Sequence, residues 1–147
     1  AYVLQGCVKV FNLDAQGTEH IVKFALEDWW AFDIESFALG TPCLYGIEAI
    51  EDTRTLTITK EDMEMLYTRV PKFERFSRLL FQNAYIALQR RVEQGLRMDA
   101  SERYAAFRHK YPGLEKRIAQ KHVAAYVGVT PEFLSAMRRK LALQERS

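Results

Sequence analysis

Between Pro71 and Gly95 the chain runs for 23 residues without proline or glycine, "KFERFSRLLFQNAYIALQRRVEQ". Phe73, Phe76, Leu80, Ala84 and Ala87 recur there at spacings of three and four. That spacing predicts one amphipathic helix of roughly 35 Å at ~1.5 Å per residue. A helix of this length needs a surface to lie against. Leu79, Phe81, Tyr85, Ile86 and Leu88 add a second apolar side, so it either serves a neighbouring module and a partner helix together or is wholly buried in its own monomer.

The helix divides two unlike halves. Residues 1–70 carry five Lys or Arg against twelve Asp or Glu, a net −7, and residues 71–147 carry sixteen against seven, a net +9. The overall +2 conceals an acidic module and a basic one, which implies different partners or two ordinary solvated surfaces. With 48% hydrophobic and 12% aromatic residues the chain can bury a core, and 147 residues suffice for one medium domain or two small ones. There is no apolar run of membrane-spanning length and no signal-peptide pattern. The chain opens directly in strand-like sequence without a methionine, as a fragment would. Cys7 and Cys43 lack metal-ligand spacing; a reduced cytoplasmic protein is the simple reading, a single disulfide the alternative.

In the acidic half, "YVLQGCVKVF" (2–11) and "HIVKFAL" (20–26) flank an Asp- and Gly-containing turn, and "YGIEAI" (45–50) and "TRTLTITK" (53–60) follow. β-Branched and aromatic content with alternation predicts mostly antiparallel strands, Leu56 and Ile58 sharing one face. In the remainder, Thr59 with Asp62 and Asp99 with Glu102 have capping-box spacing. They open helices that stop at Pro71 and at Pro112-Gly113, and a third helix is expected through "LEKRIAQKHVAAYV" (114–127).

"YVGVTPEFLSAMRRK" (126–140) then meets the demands of a helix-turn-helix. Ala124 is the small residue at the crossing, Gly128 suits a positive φ at the turn, and Val123, Val127, Val129, Leu134 and Met137 lock the two helices. Thr130 caps the second helix and Pro131 suits its first turn. Glu132, Ser135, Ala136 and Arg139 are expected on its outer face, with Arg138 toward one flank. Glu can accept from cytosine, Ser can bond several base edges, and Arg can pair with guanine or phosphate. A helical hairpin in a structural bundle has the same Gly and apolar spacing, but has no need to gather Lys121, Arg138, Arg139 and Lys140 beside the turn. Double-stranded DNA is the partner these residues suit.

"SFALGTPCLYGIEAIED", "EDWW", "ITKEDMEMLY", "ALQRRV", "SERYAAF" and the helix-turn-helix together resemble the superfamily of the cyclic-AMP receptor protein and the oxygen sensor Fnr, in particular its short Bacteroidetes-type members. The resemblance covers nearly the whole chain. It implies an α+β fold: an incomplete antiparallel β-roll of the cyclic-nucleotide-binding type over 1–70, a long dimerisation helix over 71–97 and a helix-turn-helix DNA-binding domain over 98–147. The first strands and helix of that sensor domain would lie upstream of Ala1. A cytoplasmic homodimeric transcription regulator is the implied activity, with RNA polymerase and an unidentified small-molecule effector as further partners, no membrane, no cofactor and no enzymatic role.

The sensor departs from cyclic-nucleotide-binding relatives. Their phosphate cassette begins Gly-Glu and ends Arg-Ser/Thr before an Ala. With Ala49 aligned to that Ala, Cys43 and Leu44 stand in place of Arg-Ser, and Phe32-Asp33 in place of Gly-Glu. No cation lies between Lys23 and Arg54, so a buried cyclic phosphate would lack a counter-charge and cyclic-AMP binding is not expected. Trp29, Trp30, Asp33 and Cys43 mark the pocket, which holds either another ligand or packed side chains. His20, His109 and His122 are too scattered for a metal or haem site. The reader departs too: Pro131 and Ala136 stand where relatives commonly carry arginines, while Glu132 is retained.

Overall fold

The computed structural model describes residues 1–144. Residues 145–147, the end of the expected 98–147 domain, lie outside the described residues. The acidic half forms two small antiparallel sheets. Strand β2 (Val8–Leu13) lies between β3 (Glu19–Ala25) and β4 (Gly46–Ala49), and β1 (Tyr2–Gln5) pairs with β5 (Arg54–Leu56). The β2–β3 turn is set by Asp14, whose Oδ1 accepts from the backbone N–H of Gln16 and Thr18, both at 2.9 Å. At Gly6, φ is 96° and an added Cβ would meet Asp52 and Thr53 at 2.5 Å, so only glycine lets β1 turn into β2 against that loop.

Two expectations need correction here, and one element is new. The strand over 53–60 shrinks to Arg54–Leu56, and Leu56 is exposed. A six-residue helix α1 (Ile34–Leu39), capped by Asp33 and ended by Gly40 at φ 69°, lies in a segment for which no element was expected. The expected helix over 114–127 is broken into a 3-10 turn at Leu114–Lys116 and α5 (Gln120–Val127).

Helix α2 (Lys60–Arg69) begins as its cap requires, Thr59 Oγ1 accepting from Asp62 N at 3.1 Å. Helix α3 (Pro71–Arg97) is continuous through Gly95. Its inward face is Phe73, Ser77, Leu80, Phe81, Ala87 and Arg91, and Phe76, expected inside, is 47% exposed. Helix α4 (Ala100–Lys110) opens with the full Asp99–Glu102 capping box, and α6 (Pro131–Gln144) closes the described chain.

The main core joins the two halves. Cys7, Ile21 and Phe24 from the sheet pack with Tyr104, Phe107, Tyr111, Leu114, Val123, Tyr126 and Leu134 from the helices. Phe24 sits at its centre, with ring centroids 5.5 Å from Tyr111 and 5.4 Å from Tyr126, and its backbone N–H donates to Tyr111 Oη at 3.2 Å. A smaller cluster of Val3, Val8, Val10, Ala25 and Ala31 fills the space between the sheets. Lys9, 2% exposed and on the opposite face of β2 from Val8 and Val10, is neutralised by Glu19 at 2.7 Å and Glu48 at 3.4 Å.

Candidate nucleic-acid interface

Helix α5 is the buried seat against which α6 packs. Five of its eight residues are buried. Arg103 on α4 donates Nε to Val127 O at 2.9 Å and Nη1 to Met98 O at 2.8 Å, fixing the end of α5 to the start of α4. At Gly128 the backbone turns left-handed, φ 80° and ψ 45°, and the N–H groups of Gly128 and Val129 both bond Ala124 O, at 2.8 and 3.1 Å. Thr130 then caps α6, its Oγ1 accepting from Phe133 N at 3.2 Å. Leu134, fully buried, locks α6 onto α5, with Val129, Met137 and Leu141 partly buried beside it.

This seating decides what faces outward. Glu132, Ala136 and Arg139 form the outer crest of α6, all exposed, with exposed Thr130, Lys121 and Lys140 beside them. Ser135 is different: it is half-buried, and its Oγ accepts from Gln120 Nε2 at 2.6 Å, so it belongs to the seam between α5 and α6. Arg138 is also half-buried, near enough to Tyr104 to offset part of the rise in that phenol's pKa, which burial and Glu115 push up to about 12. Gln120, which further bonds Pro131 O at 3.2 Å, is a positioning residue absent from the sequence reading. His122 is buried in α5 with Nδ1 lacking a partner, and burial followed by Lys9 and Lys121 lowers its pKa, which keeps the imidazole neutral.

A polar clamp ties this module to the sheet. Arg117, just after the 3-10 turn, bonds Glu27 at 2.9 and 3.2 Å and also pairs with Glu51. The Arg117 bond, followed by backbone N–H donors, draws the Glu27 carboxyl down to about 2. These partners are 66 and 90 residues from Arg117 along the chain, and nothing in local sequence announces them.

The pocket residues expected in the acidic half lie near α1. Asp33 accepts from Glu35 N, Ser36 N and Leu44 N at 3.1, 3.3 and 2.9 Å. Burial raises its pKa, and these backbone donors outweigh that and hold it below the ordinary value. Asp33, Trp30 and Cys43 line a cavity of about 220 Å³ against α3 that contains no Lys or Arg. Trp29 packs 5.7 Å from Tyr111, in the wall of a second, larger cleft. Both thiols are free, Cys7 buried and Cys43 exposed with Sγ 3.2 Å from Ser36 Oγ. Among the described residues no group of three His, Cys, Asp or Glu could hold a metal ion, and no helix is long and apolar enough to cross a membrane.

A sheet module, a long bridging helix and a helix-turn-helix in one chain define the fold of the Crp/Fnr transcriptional regulators. FixK2 from Bradyrhizobium japonicum superposes with a TM-score of 0.81 at 20% identity, covering 98% of this chain and 74% of that one. A Crp/Fnr-family transcriptional regulator from Eubacterium rectale gives 0.73 at 18%, covering 97% and 68%. CLP, the c-di-GMP-responsive global regulator of Xanthomonas campestris, gives 0.63 at 17%, covering 98% and 77%. No family model and no curated protein matches the sequence, so the likeness is one of fold.

Proposed function

We propose that this chain is a sequence-specific DNA-binding transcription regulator of the Crp/Fnr type, acting as a homodimer. The observation that carries the reading is the exposed crest of Glu132, Ala136 and Arg139 on a helix fixed by Leu134 and Gly128, with Lys121 and Lys140 placed for phosphates. Residues 1–70 serve as sensor, 71–97 as dimerisation helix and 98–147 as reader.

Dimerisation is supported by α3. Tyr85, Leu88, Val92 and Leu96 recur at spacings of three and four, and each is more than half exposed. Such a stripe suits a second copy of the same helix. Two readers related by a two-fold axis meet half-sites about 34 Å apart. Cyclic AMP is not expected as the effector: neither the α1 cavity nor the Phe32–Ala49 segment presents a Lys or Arg side chain to a phosphate. RNA polymerase is a partner through the resemblance alone.

Fluorescence anisotropy on genomic fragments, at two salt concentrations, tests the reading. Salt-sensitive binding that selects particular fragments is expected. Binding without selection, or affinity unaltered by R139A with K140A, would show a module of this fold that has lost specific DNA reading.

A further inference from the structure

Phe133 is the third residue of α6 and is 54% exposed, although the next residue, Leu134, is fully buried. Among the described residues it belongs to neither hydrophobic cluster, and no aromatic ring or cation packs on its ring. Its backbone is nonetheless fixed, since its N–H is the donor that closes the Thr130 cap at 3.2 Å. A single exposed apolar residue is ordinary on a protein surface. This one is held in the first turn of a reading helix, with more than half its surface open.

Helical spacing sets what stands beside it. Ala136 and Lys140, three and seven residues on, share its flank of α6, and both are exposed. The three line one side of an open groove of about 500 Å³, whose far wall is the start of α4. There the Asp99 carboxylate accepts from Glu102 N at 2.9 Å and is held in its own cap, so Lys140 is the one cation lining the groove. The other flank of α6 is closed, because Ser135 is bonded to Gln120 of α5. The helix thus offers one apolar flank beside the polar contacts of Glu132 and Arg139.

Base chemistry selects what that flank suits. The thymine 5-methyl is the apolar group that a base pair presents in the major groove, and alanine or phenylalanine side chains are fitting contacts for it. First-turn residues of a reading helix are the ones that reach base edges. Pro131 and Ala136 carry no hydrogen-bonding side chain, so reading by the start of α6 falls to Glu132 and to apolar contact. We propose that Phe133, with Ala136 beside it, reads the 5-methyl group of one thymine in each half-site, next to the base pair that Glu132 contacts. The proposal deepens the DNA-reading function above and rests on it. Losing one buried methyl corresponds to about a fourfold change in affinity, or about fifteenfold when both half-sites lose it.

The test takes the operator that the full chain selects from a random-sequence duplex library and replaces its thymines by deoxyuridine, one symmetry-related pair at a time. Deoxyuridine keeps every hydrogen-bonding group of thymine and lacks only the methyl. One pair is expected whose replacement weakens binding of the unmodified chain by roughly fifteenfold in fluorescence anisotropy. F133A should be indifferent to that replacement, F133L should retain most of the discrimination, and the salt dependence should be the same in all three. An operator whose binding ignores every such replacement, or a loss at that pair as large in F133A as in the unmodified chain, overturns the proposal and leaves DNA reading by α6 standing. A library from which no operator emerges overturns the DNA-reading function and this proposal together. Should circular dichroism show F133A unfolded, F133Q takes its place with the same outcomes.

Discussion

Helix α5 buries five of its eight residues, whereas α3, with 27, buries only Ser77. Both are amphipathic, but their apolar sides meet different fates. In α5 the stripe of Val123, Ala124 and Val127 is answered by residues of the same chain, Leu134 among them. In α3 one side packs inward through Leu80 and Phe81, the latter 5.6 Å from the Phe32 ring, while Leu88 remains 60% and Leu96 81% exposed. Periodicity thus predicts that a helix has a face to bury, and leaves open whether its own chain covers that face. Helices α5 and α6 cover each other's apolar sides, whereas α3 leaves part of its apolar surface exposed.

The largest separation between the two should come from core truncation. Leu134→Ala is expected to cost about 2–5 kcal/mol in urea unfolding, because the side chain is fully buried; Leu88→Ala, at a side chain 60% exposed, should cost less than about 1 kcal/mol in monomeric protein. Second, V92E with L96E should raise the dimer dissociation constant by about 100-fold or more in sedimentation, with monomer melting unaltered. An unmodified protein that sediments as a monomer at micromolar concentration would break the comparison. Third, R139A should weaken specific DNA binding by about 1–3 kcal/mol, read as relaxed selection among operators. Fourth, Gly128→Ala forces a Cβ into a left-handed turn and should destabilise the reader by about 1 kcal/mol, although no atom lies in the way.

The smallest effect concerns the clamp. Glu27 is drawn below its ordinary pKa, to about 2, by Arg117, so its contribution is full above about pH 4.5 and disappears as pH falls through 2. Because the pair is exposed, R117Q should cost under about 1 kcal/mol at neutral pH and nothing in 1 M salt. Unfolding curves of both proteins across that pH range check the sign.

Caps and turns were the most legible features, since each is a local hydrogen bond: Thr59 to Asp62, Asp99 to Glu102, Thr130 to Phe133. The helix-turn-helix was legible for the same reason, its Gly and apolar positions lying within 20 residues of one another. Helix α1 was missed because six residues are too few to establish a 3.6-residue period. Ser135 was read outward because helical spacing cannot reveal that Gln120 reaches it from the neighbouring helix. The Arg117 clamp joins residues 66 and 90 positions apart, and only the assembled fold brings them together.

The two cysteines differ in a way that offers a tool. Cys7 is fully buried, and burial pushes its thiol up to about 12, which makes it a poor nucleophile. Cys43 stands exposed at the rim of the α1 cavity. A maleimide dye should therefore label the native chain once, at the mouth of the α1 cavity, and give an optical reporter of that cavity's occupancy without any engineered change.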